Sequence, residues 1–207
     1  MPSQTVSYPP TALAKNATHK EKGAWGEAVV AAQLFSSGVD WIFILENSRG
    51  QGFDIIALED GATQRVLTFI EVKYNTSRLS ARQKEGGEAY AIASICEASF
   101  LEKFGSATDT SRIMRRVGPP GKSGQAIVTE SSATEIRDAV MTLLNDRPGK
   151  LSQTEIDELL VQMGVNTPIT PKPARPAWLG QNSIPVVVNY RVSRVMPGGN
   201  ILDSLWP

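Results

Sequence analysis

Two carboxylates and an ammonium, set in strand-like surroundings, are the groups of this 207-residue chain best placed to do chemistry. Glu71 and Lys73 lie in FIEVK, residues 69–73. Side chains two apart on a strand share a face, so this pair projects together while Val72 points away. Leu67 and Phe69 share the face of Glu71, and Val66, Ile70 and Val72 occupy the other, so the strand reads as covered on both sides. Asp54, between Phe53 and Ile55 in GFDII, belongs to a segment expected to pair with this one. An ionised carboxylate buried without compensation costs several kcal/mol, so Asp54 and Glu71 call for a cation, a lysine or several donors. Mg²⁺ prefers oxygen ligands and commonly takes one or two protein carboxylates, leaving its other positions to water and substrate phosphate; Asp54 with Glu71 is that count. Lys73 would then lie near the attacking water or the scissile phosphate, where it orients and charge-stabilises the attack. The plainer reading of the same residues is a buried Glu71–Lys73 or Asp54–Lys73 salt bridge without catalysis.

A third carboxylate stands upstream. The run Lys22–Ser37 reads as an Ala-rich helix ended by Gly38, and on it Glu27 shares a face with Val30, Ala31 and Leu34. An acid on an apolar face is explained either by a shared metal or by pairing with Lys20 or Lys22. Small neighbours at Gly23, Ala24 and Gly26 would let this helix approach a sheet closely.

These residues must be positioned by strands at 41–45, 53–58 and 66–74, followed by a long helical stretch from Ser80 to about Phe104 that is loosened by Gly86 and Gly87. Two further strands, RIMRRV and QAIVTE, flank GPPGKSG. Capping-box pairs Ser132/Glu135 and Ser152/Glu155 open two amphipathic helices, with Ile136, Val140, Leu143 and Leu144 on one buried face and Ile156, Leu159, Leu160 and Met163 on the other. A proline-rich link leads to a last strand, VVVNYRVSRV. The expected organisation is a leader over residues 1–20, a core over 21–147 and an extension over 148–207 packed on that core. The order suggests an α/β or α+β sheet covered on both faces.

Composition closes off other chemistries. One cysteine, Cys96, allows neither an internal disulfide nor a cysteine zinc cage, and one histidine, His19, excludes an HExxH site. Any metal must be held by oxygens. Cys96 lies in an apolar helical stretch and reads as packing, and His19 in a polar leader reads as solvated. No apolar run reaches the ~18 residues of a membrane span. Lysine and arginine total 21 against 21 aspartate and glutamate, so no global field recruits a polyanion. VGPPGKSG contains Gly-Lys-Ser, but Arg116 stands where a phosphate-binding loop needs its first glycine, so no nucleotide cofactor is expected.

Glu27 on an opening helix, Asp54 on a following strand and Glu71-Val72-Lys73 on the next resemble the PD-(D/E)xK, or restriction-endonuclease-like, nuclease superfamily. The likeness spans roughly residues 20–130, with Phe53 where the pattern's name has Pro. It implies an α/β fold with an αβββαβ core, its central mixed sheet flanked by helices, and Mg²⁺-dependent cleavage of phosphodiester bonds, with Mn²⁺ as a substitute metal. Asp54 and Glu71 would be metal ligands with Glu27 and Val72 completing the set, and Lys73 would serve the attacking water. Several branches place Gln or Tyr on the helix after ExK. Gln83 and Tyr90 fall there, although Gly87, four after Gln83, breaks the QxxxY spacing. The run LSARQKEGGEAYAIAS, residues 79–94, is similar to bacterial polymorphic-toxin nuclease domains. That likeness implies a DNase used in interbacterial competition, held in the producer's cytoplasm by a cognate immunity protein or delivered by a secretion system into the cytoplasm of a target cell.

Arg78, Arg82 and Lys84 just past ExK, and Arg112, Arg115, Arg116 and Lys122 around the later loop, suit phosphate contacts that position DNA without reading sequence. The same residues also suit a solvated charged rim. Trp25 and Trp41 read as core rather than as base-stacking platforms. Two other functions fit the sequence: a housekeeping repair or junction-resolving nuclease of the same fold, and an inactive nucleic-acid or protein binding module whose charges merely pair in the core.

Overall fold

Two central strands buried on both sides build this molecule from both faces of one sheet. The computed structural model describes residues 3–4, 12–44, 53–97, 111–117, 125–131, 133–166, 168, 170, 172–179 and 184–206. In chain order the elements are β1 (Ser3–Gln4), α1 (His19–Ser37), β2 (Trp41–Ile44), β3 (Ile55–Asp60), β4 (Arg65–Tyr74), a 3-10 turn (Arg82–Glu85), α2 (Gly87–Cys96), β5 (Ser111–Val117), β6 (Gln125–Ser131), α3 (Ala133–Asn145), α4 (Gln153–Gln162), β7 (Val186–Val195) and β8 (Ile201–Leu205). The strands form a mixed open sheet in the order β1-β6-β5-β2-β3-β4-β7-β8. Among these strands only β4 and β7 run parallel; every other pair is antiparallel.

Ile55 and Ala57 of β3 and Ile70 of β4 face α1, where they pack with Val30, Ala31 and Leu34. The intervening Ile56, Leu58, Leu67 and Phe69 face the opposite layer, made by Tyr90, Ile92 and Ile95 of α2 and Ile136, Val140 and Leu143 of α3. The chain is therefore α/β, with helices on both faces of the sheet. The period-2 pattern decided this, because each strand had to bury both of its sides. Among the described residues no helix is long and apolar enough to cross a membrane.

Four departures from expectation have identifiable causes. Helix α1 begins at His19, three residues early, because Thr18 and Glu21 form a capping box: Thr18 Oγ1 accepts from the Glu21 N–H at 3.2 Å and Glu21 Oε2 accepts from the Thr18 N–H at 2.6 Å. The expected leader also contains β1, which pairs with β6. The long helix after Ser80 is instead a 3-10 turn and α2, divided by Gly86 at φ 126° and ψ 147°, a conformation that no helix accepts. Its expected end, residues 98–104, lies outside the described residues, as do Leu45, Ser132 and the loop 118–124. Finally, the boundary near 147 does not divide the sheet. β7 lies between β4 and β8, so residues 148–207 supply two strands to it, and β8 after MPGGN is a strand beyond those expected.

The other capping box is present, with Ser152 accepting from Glu155 N–H at 3.3 Å. All four residues of the α3 stripe are buried, whereas on α4 Leu160 and Met163 are buried and Ile156 and Leu159 only partly so.

Candidate functional site

Backbone pairing between β3 and β4 sets the site. Ile55 pairs with Ile70, and one residue earlier the Asp54 N–H donates to the Ile70 carbonyl at 3.1 Å. That register lays the Asp54 side chain along β4, where Oδ2 accepts from the Val72 N–H at 2.6 Å. Asp54 thus comes to rest beside Glu71 and Lys73 through a backbone bond rather than through chance packing. Val72 reaches the site by its N–H, the group bonded to Asp54.

Glu71 is 3% exposed and its Oε1 accepts from Lys73 Nζ at 2.6 Å. Its Oε2 is buried, with no hydrogen-bond partner among the described residues. Gln83, buried in the 3-10 turn, takes the Ser80 N–H on Oε1 at 2.9 Å and stands beside Glu71, favouring the ionised form of that carboxylate. On the other side of the sheet, Gly26 sits so close to β4 that a Cβ there would lie 3.3 Å from Val72 Cγ1. Gly23 meets nothing within 4 Å, so Gly26 is the residue that permits the approach. The next residue, Glu27, is half-buried and near enough for its charge to act on Asp54.

Acid outnumbers base in this interior. Burial, then the charge of Glu71, then that of Glu27 push the Asp54 carboxyl well above its ordinary range, against the Val72 hydrogen bond and Lys73. Burial also raises Glu71, against Lys73 and Gln83. One ammonium, Lys73, stands beside the carboxyl groups of Asp54 and Glu71, and Glu71 Oε2 stays unsatisfied among the described residues.

A divalent cation fits this donor set, since half-buried Asp54 and buried Glu71 offer oxygens with little positive charge beside them. Among the described residues no group of three or more His, Cys, Asp or Glu side chains converges closely enough to hold a metal ion. The reason is local, because Lys73 draws Glu71 to itself and Val72 holds one oxygen of Asp54.

The expected phosphate contacts divide. Arg78 and Lys84 are exposed beyond the end of β4. Arg82 is tied to Glu97 at 3.2 Å. The backbone of Arg115 pairs with Trp41, which pairs with Leu58, four residues along β3 from Asp54, or roughly 13 Å at the usual strand rise. Arg116 lies one residue farther, whereas Arg112, paired with Ile44, is level with Ile55 near the site. Lys122 lies outside the described residues.

Trp41 is core, 6% exposed, while Trp25 is half-buried and meets Tyr74 edge-to-face, with ring centroids 6.1 Å apart. His19 is exposed. Cys96 is buried, and burial pushes its thiol up to about 11, which suits packing and not nucleophilic attack.

Two further residues hold the site without any signal in the sequence. Arg194, paired with Lys73 across β7, donates from Nη1 to the Asn75 carbonyl at 2.5 Å and the Ser77 carbonyl at 2.7 Å, pinning the loop that leaves β4. Asn75 there takes a left-handed φ of 51°. Trp206 reaches the carbonyl of Gln83. Both contacts join residues more than a hundred positions apart, beyond the range of any local pattern. Comparison of the chain with protein-family models, curated proteins and solved structures finds no match.

Proposed function

We propose that this protein is a divalent-metal-dependent endonuclease that hydrolyses DNA phosphodiester bonds with little sequence preference. The observation that carries the proposal is the excess of acid: half-buried Asp54 beside buried Glu71, with Glu71 Oε2 lacking a hydrogen-bond partner among the described residues and Lys73 the neighbouring ammonium. A buried salt bridge alone needs one acid per base, and this arrangement goes beyond that at a cost of several kcal/mol. Such a cost is typical of a site kept for chemistry.

Asp54 and Glu71 would hold Mg²⁺, or Mn²⁺ in its place, with the Glu27 charge strengthening the field for a cation. The metal supplies Lewis-acid polarisation of a phosphoryl oxygen and a lowered pKa for water. Lys73 stands where it can orient the attacking water and offset charge developing on the phosphate. Gln83 steadies Glu71 in its ionised form, and Arg78 and Lys84 are exposed where a phosphate backbone would pass. The element order supports a restriction-endonuclease-like core: α1, β2, β3, β4 and α2, with β7 parallel to β4, follow αβββαβ once β5, β6, α3 and α4 are set aside as an insertion.

The likeness of residues 79–94 to toxin nuclease domains extends the proposal to an interbacterial toxin restrained by an immunity protein. Two assays test it. Wild-type protein with Mg²⁺ should convert supercoiled plasmid to open-circle and linear forms, and chelator or Glu71→Gln should remove the activity. Induced expression in bacteria should arrest growth with wild type and spare it with Glu71→Gln. Folded wild type inert on plasmid in Mg²⁺ and Mn²⁺ would refute the nuclease. Cleavage in vitro without any growth defect would refute the toxin and favour a repair role.

A further inference from the structure

Strand β8 adds little to the core: Leu202 is 58% and Leu205 is 88% exposed, and Asp203 and Ser204 are exposed as well. The residue just past its end is buried instead. Trp206 is 6% exposed, its N–H donates to the Tyr190 carbonyl at 3.1 Å, and its ring lies 5.5 Å from that of Tyr90. Indole Nε1 donates to the backbone carbonyl of Gln83 at 2.7 Å. Gly87 makes room for this, because a Cβ there would fall 2.9 Å from Trp206 Cβ and Cγ and 2.5 Å from Tyr190 Cβ.

Apart from the Arg82–Glu97 ion pair at 3.2 Å, the turn held in this way has few restraints of its own. It is four residues of 3-10 helix closed by Gly86, and such short pieces have poor hydrogen-bond geometry. Within the turn, Gln83 is bonded to Ser80 at both ends, through its own N–H to Ser80 Oγ and through Oε1 from the Ser80 N–H. Ser80 is exposed and lies in the same loop, so it cannot fix where the turn sits relative to β4. Trp206, anchored on β7 through Tyr190, can.

We propose that Trp206 is a positioning residue for the acid site: by holding the Gln83 carbonyl it fixes the turn 82–85 so that the Gln83 side chain stays against Glu71. On this view β8 serves chiefly to deliver Trp206. The catalytic consequence rests on the nuclease reading above, whereas the positioning itself does not.

The test uses the full chain with Trp206→Phe, Gln83→Ala and the double variant. As a second probe, β-(3-benzothienyl)alanine at 206 keeps the shape of the indole and removes only its N–H. Loss of one hydrogen bond should lower Mg²⁺-dependent cleavage about three- to tenfold, in kcat with KM for plasmid unchanged. In the Gln83→Ala background, Trp206→Phe should cost nothing more. Independently of activity, amide hydrogen exchange should quicken at Lys84 and Tyr90, whose N–H groups bond Ser80 and Gly86, and should stay unchanged in α1. Additive losses in the double variant, or unaltered exchange in the benzothienyl protein, would overturn the proposal. Quickened exchange in a protein whose wild type is inert would support the positioning while removing the nuclease.

Discussion

Asp54→Asn is expected to stabilise the metal-free protein by roughly 1–4 kcal/mol while lowering Mg²⁺-dependent cleavage on the order of 10³-fold. The two effects have opposite signs because they share one cause. Asp54 is half-buried beside the charges of Glu71 and Glu27, so its ionised form is resisted by the fold and of use to a cation. Asparagine keeps an oxygen for the Val72 N–H and removes the charge. The pH dependence comes from linkage. The folded-state pKa is raised, so at pH values above the ordinary carboxyl range, about 4, the folded chain binds more protons than the unfolded one. Stability from this group therefore falls as pH rises from about 4 toward the raised folded pKa, and it levels off above that. Thermal unfolding in chelator across that interval should show a shallower decline for Asp54→Asn than for wild type, with the remaining slope due to Glu71, which burial also raises. An Asp54→Asn protein less stable than wild type throughout would mean that the carboxylate is a structural partner and not a strained ligand.

Lys73→Met should produce the largest loss of stability in the site. Lys73 is the ion-pair partner of a carboxylate that is 3% exposed and whose other oxygen has no hydrogen-bond partner among the described residues. Breaking a buried pair from one side costs about 3–5 kcal/mol because a bare charge is left behind. Adding Glu71→Gln to Lys73→Met removes that charge, so the double variant should regain most of the loss, which urea denaturation of the four proteins measures as a coupling energy. Activity should not return with stability: cleavage should stay about 10²–10³-fold down in Lys73→Met and lower still in the double variant. Recovery of both together would assign Lys73 a purely structural part.

How much of this could be read from residues alone depended on how local each determinant was. Strands β3 and β4 were legible because hydrophobic runs bounded by turn residues specify pairing, and pairing alone carries Asp54 to Val72. The neighbourhood of Glu27 was legible from its spacing to Val30, Ala31 and Leu34, all of which are buried. The start of α1 was available in principle, since Thr18 and Glu21 have the same spacing as the capping pair read at Ser152. Gly86 was seen as a weakness in a helix, but only its φ of 126° shows that it ends one element and begins another. Charge near a loop says nothing about strand register, which sets the backbone of Arg115 level with Leu58, four residues along β3 from Asp54, and that of Arg116 one residue farther. Arg194 and Trp206 act across more than a hundred positions on backbone carbonyls, which present the same chemistry at every residue.

The central claim, that Asp54 and Glu71 share one divalent cation, is tested most directly by counting bound Mn²⁺ with electron paramagnetic resonance as the ion is titrated into wild type and Glu71→Gln. One Mn²⁺ per chain in wild type, displaced by excess Mg²⁺ and missing from Glu71→Gln, is the expected result. Equal binding by the two proteins, or no bound Mn²⁺ in a folded wild type, would contradict it.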